Sequence, residues 1–130
     1  MQDRFRCRIW NNLQKEMYYG VGFIYVEPFI HVDCGYTIKM FTINEVKPMQ
    51  CTGLKDKNGK LIYEGDIVIQ REENAGPTKQ YVLWEKDGGY LGLKDLKKSF
   101  YGVTTFHRFG YTYEVIGNIY ENSELLEDNK

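Results

Sequence analysis

Between Pro48 and Val68 two turn signatures lie so close together that the chain around them must be built from short β-strands. Asp56-Lys57-Asn58-Gly59 is the first, because Asn and Gly tolerate positive φ and Asp accepts hydrogen bonds from nearby backbone N–H groups. Glu64-Gly65 is the second, and behind it Asp66-Ile67-Val68-Ile69 opens a β-branched run. The stretch therefore predicts turn, short strand, turn, longer strand, with Tyr63 and Ile67 facing inward and Asp66 as a buried turn acceptor. On this reading Asp56, Asn58, Gly59, Gly65 and Asp66 form a structural signature. The same turn chemistry would serve equally if the 56–59 turn were displayed for recognition.

The rest of the chain reads the same way. From Arg4 to Trp10 residues alternate, with Phe5, Cys7 and Ile9 on one face and Arg4, Arg6, Arg8 and Trp10 on the other, which is the period of a strand. Asn11-Asn12 predicts a turn, and Met17 to Val26 a returning strand interrupted at Gly20 and Gly22, with Pro28 limiting pairing. After Asp33-Cys34-Gly35, the segment Tyr36 to Ile43 is strand-like but apolar on both faces at its end. Glu72 to Pro77 predicts a mobile loop between two antiparallel strands, Asp66–Glu72 and Thr78–Glu85. Lys86-Asp87-Gly88-Gly89 predicts a hairpin turn, Lys94 to Phe100 a short helix, and Tyr111 to Glu121 a strand bent at Gly117. Asn122 is placed to cap a last helical turn through Leu126.

With 130 residues, the chain is sized for one domain, and a two-part organisation would take the form of two small β subdomains meeting near residues 50–60. The formal net charge of −1 gives no general attraction to nucleic acid or to an acidic membrane. Cys7, Cys34 and Cys51 are too scattered for a disulfide framework or a tetrahedral zinc site and fit a reducing cytoplasm. No apolar run approaches the ~18 residues of a membrane span, so no membrane is expected as a partner. Eleven tyrosines in a chain 15% aromatic mark a folding sequence.

Tests for chemistry return no catalytic residue, cofactor or metal. Gly53 to Lys60 has the wrong spacing for a phosphate loop, and Leu61 stands where Ser or Thr would hold magnesium. Asp56, Asn58, Glu64 and Asp66 lack the ligand spacing of a calcium loop. His31 and His107 have no partner at metal-ligand spacing, and no serine lies in a nucleophile elbow. A lone Cys34 reads as a small hydrophobe.

Two surfaces stand out as binding candidates. Arg4, Arg6 and Arg8 beside Trp10 could track a phosphate backbone and stack a base, although alternating charge also reads as the solvated face of an edge strand. Tyr18, Tyr19, Tyr36, Tyr111, Tyr113 and Tyr120 suit an oligomer interface as well as a core.

Gln50-Cys51-Thr52-Gly53-Leu54-Lys55-Asp56-Lys57-Asn58-Gly59-Lys60 followed by Ile62-Tyr63-Glu64-Gly65-Asp66-Ile67-Val68 resembles the signature of the YopX-like phage and prophage proteins. Phe5-Arg6-Cys7-Arg8-Ile9-Trp10 with Lys15-Glu16-Met17-Tyr18-Tyr19, and Glu114 to Asn122 with Glu124-Leu125-Leu126, are similar to that family's opening and closing segments. Cys7, Cys51 and Ser123 depart from its usual residues. The resemblance implies a mainly-β small antiparallel barrel or roll with one or two short helices, forming a homo-oligomer in the cytoplasm of a bacterial host. The expected function is that of a non-enzymatic phage-encoded accessory protein binding a host or phage protein. The alternative is a nucleic-acid-binding factor using the Arg4, Arg6, Arg8 and Trp10 face.

Overall fold

The computed structural model describes residues 6–73, 75–85, 90–96, 103–104, 106 and 111–126. The chain is mainly β, with a curled half-barrel sheet, as the resemblance implies. It divides into two compact units, Met1–Leu54 and Lys55–Lys130.

In the first unit, β1 (Cys7–Asn11) lies between β2 (Glu16–Gly20) and β6 (Val46–Lys55), antiparallel to both, with Ile9 opposite Tyr18 on one side and Pro48 on the other. β1 is buried along its whole length. This corrects the expectation of an edge strand: alternation distinguishes two faces of a strand but does not say whether the charged one is covered. Asn11 builds the turn into β2, its Oδ1 accepting from the N–H groups of Leu13 and Gln14 at 2.9 Å.

Only Val21 separates β2 from β3 (Gly22–Val26), and its N–H donates to the Asp33 carbonyl at 2.9 Å. The chain thereby passes from one sheet to a second, ordered β3-β4-β5, with β4 at Phe29–Asp33 and β5 at Ile38–Thr42. What the sequence suggests is one interrupted strand is two strands in two sheets. Gly20 sits at the corner, where a Cβ would fall 2.7 Å from the Asp33 carbonyl oxygen and 2.8 Å from Val32 Cγ1. Pro28 occupies the hairpin turn between β3 and β4 rather than preventing their pairing. Cys7 and Ile9 from β1, Ile30 and Val32 from β4, and Val46 from β6 make the core of this unit. A 3₁₀ turn, Ile43–Glu45, leads into β6.

In the second unit, β7 (Leu61–Tyr63) precedes a five-stranded sheet ordered β11-β10-β9-β8-β12. Its strands are β8 (Asp66–Glu72), β9 (Ala75–Glu85), β10 (Tyr90–Asp95), β11 (Val103–Thr104) and β12 (Tyr111–Asn118). Ile62, Val68, Val82, Leu93 and Tyr113 form its core.

Three expectations change here. The supposed loop at 72–77 is a tight hairpin, since Glu72 pairs with Ala75. Gly76 and Pro77 lie inside β9, opposite an irregularity between Gln70 and Glu72 in β8, so the N–H that proline lacks falls where the ladder is already interrupted. Lys94 and Asp95 belong to β10, paired with Tyr81 and Gln80, so no helix starts there; residues 97–100 of that expected helix, and the 86–89 turn, lie outside the described residues. At the C-terminal end, a 3₁₀ turn does run from Ser123 to Leu126. Asn122 caps it differently than expected: its Oδ1 accepts from the Asn118 N–H at 3.1 Å, while Asn118 Oδ1 accepts from Tyr120 and Glu121. The bend at Gly117 is a register shift in the β8–β12 ladder.

Candidate functional site

The signature turn is a hydrogen-bonded hub. Asp56 is buried, and its Oδ1 accepts from the N–H groups of Asn58 and Lys60, both at 2.9 Å. Its Oδ2 accepts from the N–H of Val115 in β12 at 3.0 Å, and the Lys57 N–H donates to the Tyr113 carbonyl at 2.9 Å. Burial pushes the Asp56 carboxyl up, but the N–H groups of Val115, Lys60 and Asn58 and the charge of Lys60 outweigh it, holding the carboxyl below its ordinary range. Asn58 and Gly59 are exposed at the tip, with Gly59 at φ 85°. The three hydrogen bonds that Asp56 accepts from Asn58, Lys60 and Val115 all come from backbone N–H groups, as a fold-supporting turn requires.

The second turn follows the same logic. Gly65 takes φ 90°, and its backbone N–H donates to Val82 while its carbonyl accepts from Ile119. Asp66 is 1% exposed and its Oδ2 accepts from the Tyr63 N–H at 2.8 Å, closing the turn from inside. Lys57 and Arg71 reach Glu114 at 3.6 and 3.2 Å on the surface, where such pairs contribute little.

The arginine face is not assembled as the sequence suggests. Arg8 and Trp10 are 2% and 5% exposed, Arg6 is half-buried, and Arg4 lies outside the described residues. A guanidinium and an indole covered to that extent present no face to a phosphate backbone or a base. The tyrosines are likewise scattered. Tyr113 is in the core, Tyr18 packs its ring on Phe41 at 5.0 Å, and Tyr36 stands almost wholly exposed at the β4–β5 turn. Among the described residues no group of three or more His, Cys, Asp or Glu could hold a metal ion, and no helix is long and apolar enough to cross a membrane.

The feature that sequence reasoning missed is the outer face of β3-β4-β5. Ile24, His31 and Met40 lie in one row across it, Val26, Phe29 and Thr42 in the next, and Ile38 begins the row beside Asp33. Ile24 and Ile38 are both 67% exposed, and Met40 and Val26 are exposed to a similar degree. The opposite face carries Ile30 and Val32 into the core, so this sheet is apolar on both sides. Its signal was the doubly apolar segment ending at Ile43; the strand that carries His31 was hidden by Pro28.

The family model described as YopX protein matches residues 5–127. Among solved structures, protein EF1440 from Enterococcus faecalis is similar at 28% identity and a TM-score of 0.63, over 94% of this chain and 97% of that one. Protein yopX from Bacillus subtilis is similar at 21% identity and a TM-score of 0.65, over 98% of this chain and 99% of that one, a likeness of fold. No curated protein matches the chain.

Proposed function

The chain belongs to the YopX family, and from that premise we propose that it is a phage-encoded accessory protein without enzymatic activity, acting in the host cytoplasm by protein binding and self-assembly. The observation that carries this reading is the outer face of β3-β4-β5. Ile24, Val26, Ile38 and Met40 are large apolar side chains left together in water on one sheet face, a pattern that marks binding surfaces. Burying such side chains against a partner returns about 25 cal/mol per Å² of apolar surface. The alternative, nucleic-acid binding through Arg4, Arg6, Arg8 and Trp10, draws less support because Arg8 and Trp10 are buried.

The test is retention of host proteins from lysate by the tagged chain, with and without nuclease, compared with an Ile24→Asp variant. A discrete protein that survives nuclease and is lost with the variant supports the reading. Nucleic acid retained equally by both, carrying any proteins with it, sinks it.

A further inference from the structure

β5 ends its sheet, and among the described residues no strand lies on its other side. Open edges in natural proteins are guarded by charges, prolines or bulges. β5 carries one such guard and no other: its register with β4 is unbroken from Ile38 to Thr42, it contains no proline, and its one charge points away from the outer face. That charge, Lys39, lies 5.7 Å over the ring of Tyr18. Met40, Phe41 and Thr42 of β5 line a cleft of about 350 Å³ together with Phe29 of β4 and Leu13 and Gln14 of the β1–β2 turn. Leu13 is 71% exposed there.

We propose that β5 is the seam on which two copies of this chain join, edge to edge and antiparallel, about a two-fold axis through Met40. Antiparallel pairing of identical strands is self-complementary, as a two-fold interface requires. The charge pattern selects the register. With the axis at Met40 all five residues of β5 pair, Ile38 opposite the partner's Thr42 and Lys39 opposite the partner's Phe41, an aromatic ring that can accept a cation. Moving the axis to Lys39 sets two ammonium groups directly against each other, which is destabilising, and shortens the ladder. Moving it to Phe41 shortens the ladder in the same way. A seam of this length is at the small end of specific interfaces, so the dimer is a weak one, populated at about micromolar concentration and above.

The seam rests on the self-assembly reading above, and sedimentation of the full chain across a concentration series separates the two. Met40→Lys changes a side chain already exposed in the single chain and places like charges at the axis. It should leave the circular dichroism and melting of the monomer unchanged and weaken association at least tenfold. Met40→Cys in a Cys34→Ser background should cross-link to itself under mild copper-phenanthroline oxidation. Ile38→Cys should not cross-link to itself but should cross-link when mixed with Thr42→Cys. Wild-type association undiminished by Met40→Lys overturns the seam and leaves self-assembly standing. Self-cross-linking by Ile38→Cys as fast as by Met40→Cys overturns the register and with it the proposal. A wild-type chain that stays monomeric throughout overturns both readings.

Discussion

Asp56 and Val115 are joined by a 3.0 Å hydrogen bond across 59 positions of sequence, from a carboxylate in the signature turn to a backbone N–H in β12. The signature is therefore local in sequence only. Its spacing is held by a strand that the chain reaches near its end.

Replacing Asp56 by Asn keeps one carbonyl acceptor but turns an amide donor toward N–H groups that need an acceptor. The expected loss is on the order of 2 kcal/mol, read from urea unfolding. The pH dependence gives a second readout. The folded carboxyl titrates below its ordinary value of 3.8, so its contribution is complete above that pH and is lost as pH falls through the lowered folded value. Wild type should lose more stability than Asp56→Asn on acidification from pH 5 to below pH 3.8. Parallel acid limbs for the two proteins would contradict the hub.

Gly20→Ala should cost about 1–3 kcal/mol, because the new methyl meets a backbone carbonyl that cannot step aside. Gly22, two residues on, has open space where its Cβ would be, and Gly22→Ala should stay within about 0.5 kcal/mol. Thermal melts of the pair check the corner between the two sheets.

The three thiols should separate by burial. Cys34 is half-buried while Cys7 and Cys51 are covered, so iodoacetamide should label Cys34 first in the native chain and the others on unfolding. Burial first, then the neighbouring Cys34, pushes the Cys7 thiol up to about 11. A raised folded pKa contributes stability that is whole below the unfolded value near 9.0 and is lost as pH rises through about 11. Cys7→Ala should flatten that alkaline decline in a denaturation series from pH 8 to 11.

Arg8→Ala should act on stability and not on nucleic acid. Its long side chain is covered in a central strand, and truncation is expected to cost about 1–3 kcal/mol. Filter retention of single-stranded DNA at low salt should be the same for wild type and variant. A selective loss by the variant would restore the arginine face as a binding surface.

Much of this fold was legible in local chemistry. Gly59 and Gly65, both at positive φ, and the β-branched run from Asp66 each announce a backbone state that few other residues suit, so the second unit's first turns and strand follow from sequence. What local chemistry cannot supply is the neighbour across a sheet. Arg8 and Trp10 alternate like a solvated face, yet both are buried in the folded chain, because alternation separates two faces without saying which is covered. Pro28 and Gly76-Pro77 read as breakers, and both are absorbed where a ladder is already turned or bulged. The apolar outer face of β3-β4-β5 stayed hidden for the same reason: a strand apolar on both sides looks buried until the sheet shows one side open.

The position of β12 has a consequence for synthesis on the ribosome. Among the described residues β12 is the last strand in the sequence, and it pairs with β8, the first strand of its sheet, so this pairing forms only after the whole span between them has emerged. Until Val115 leaves the exit tunnel, the Asp56 carboxylate lacks one of its donors and one edge of β8 lies open. Long-range closures of this kind are slow steps. A nascent chain halted before Tyr111 would therefore hold the signature turn without its anchor, and prematurely terminated chains would be a ready substrate for chaperones and proteases.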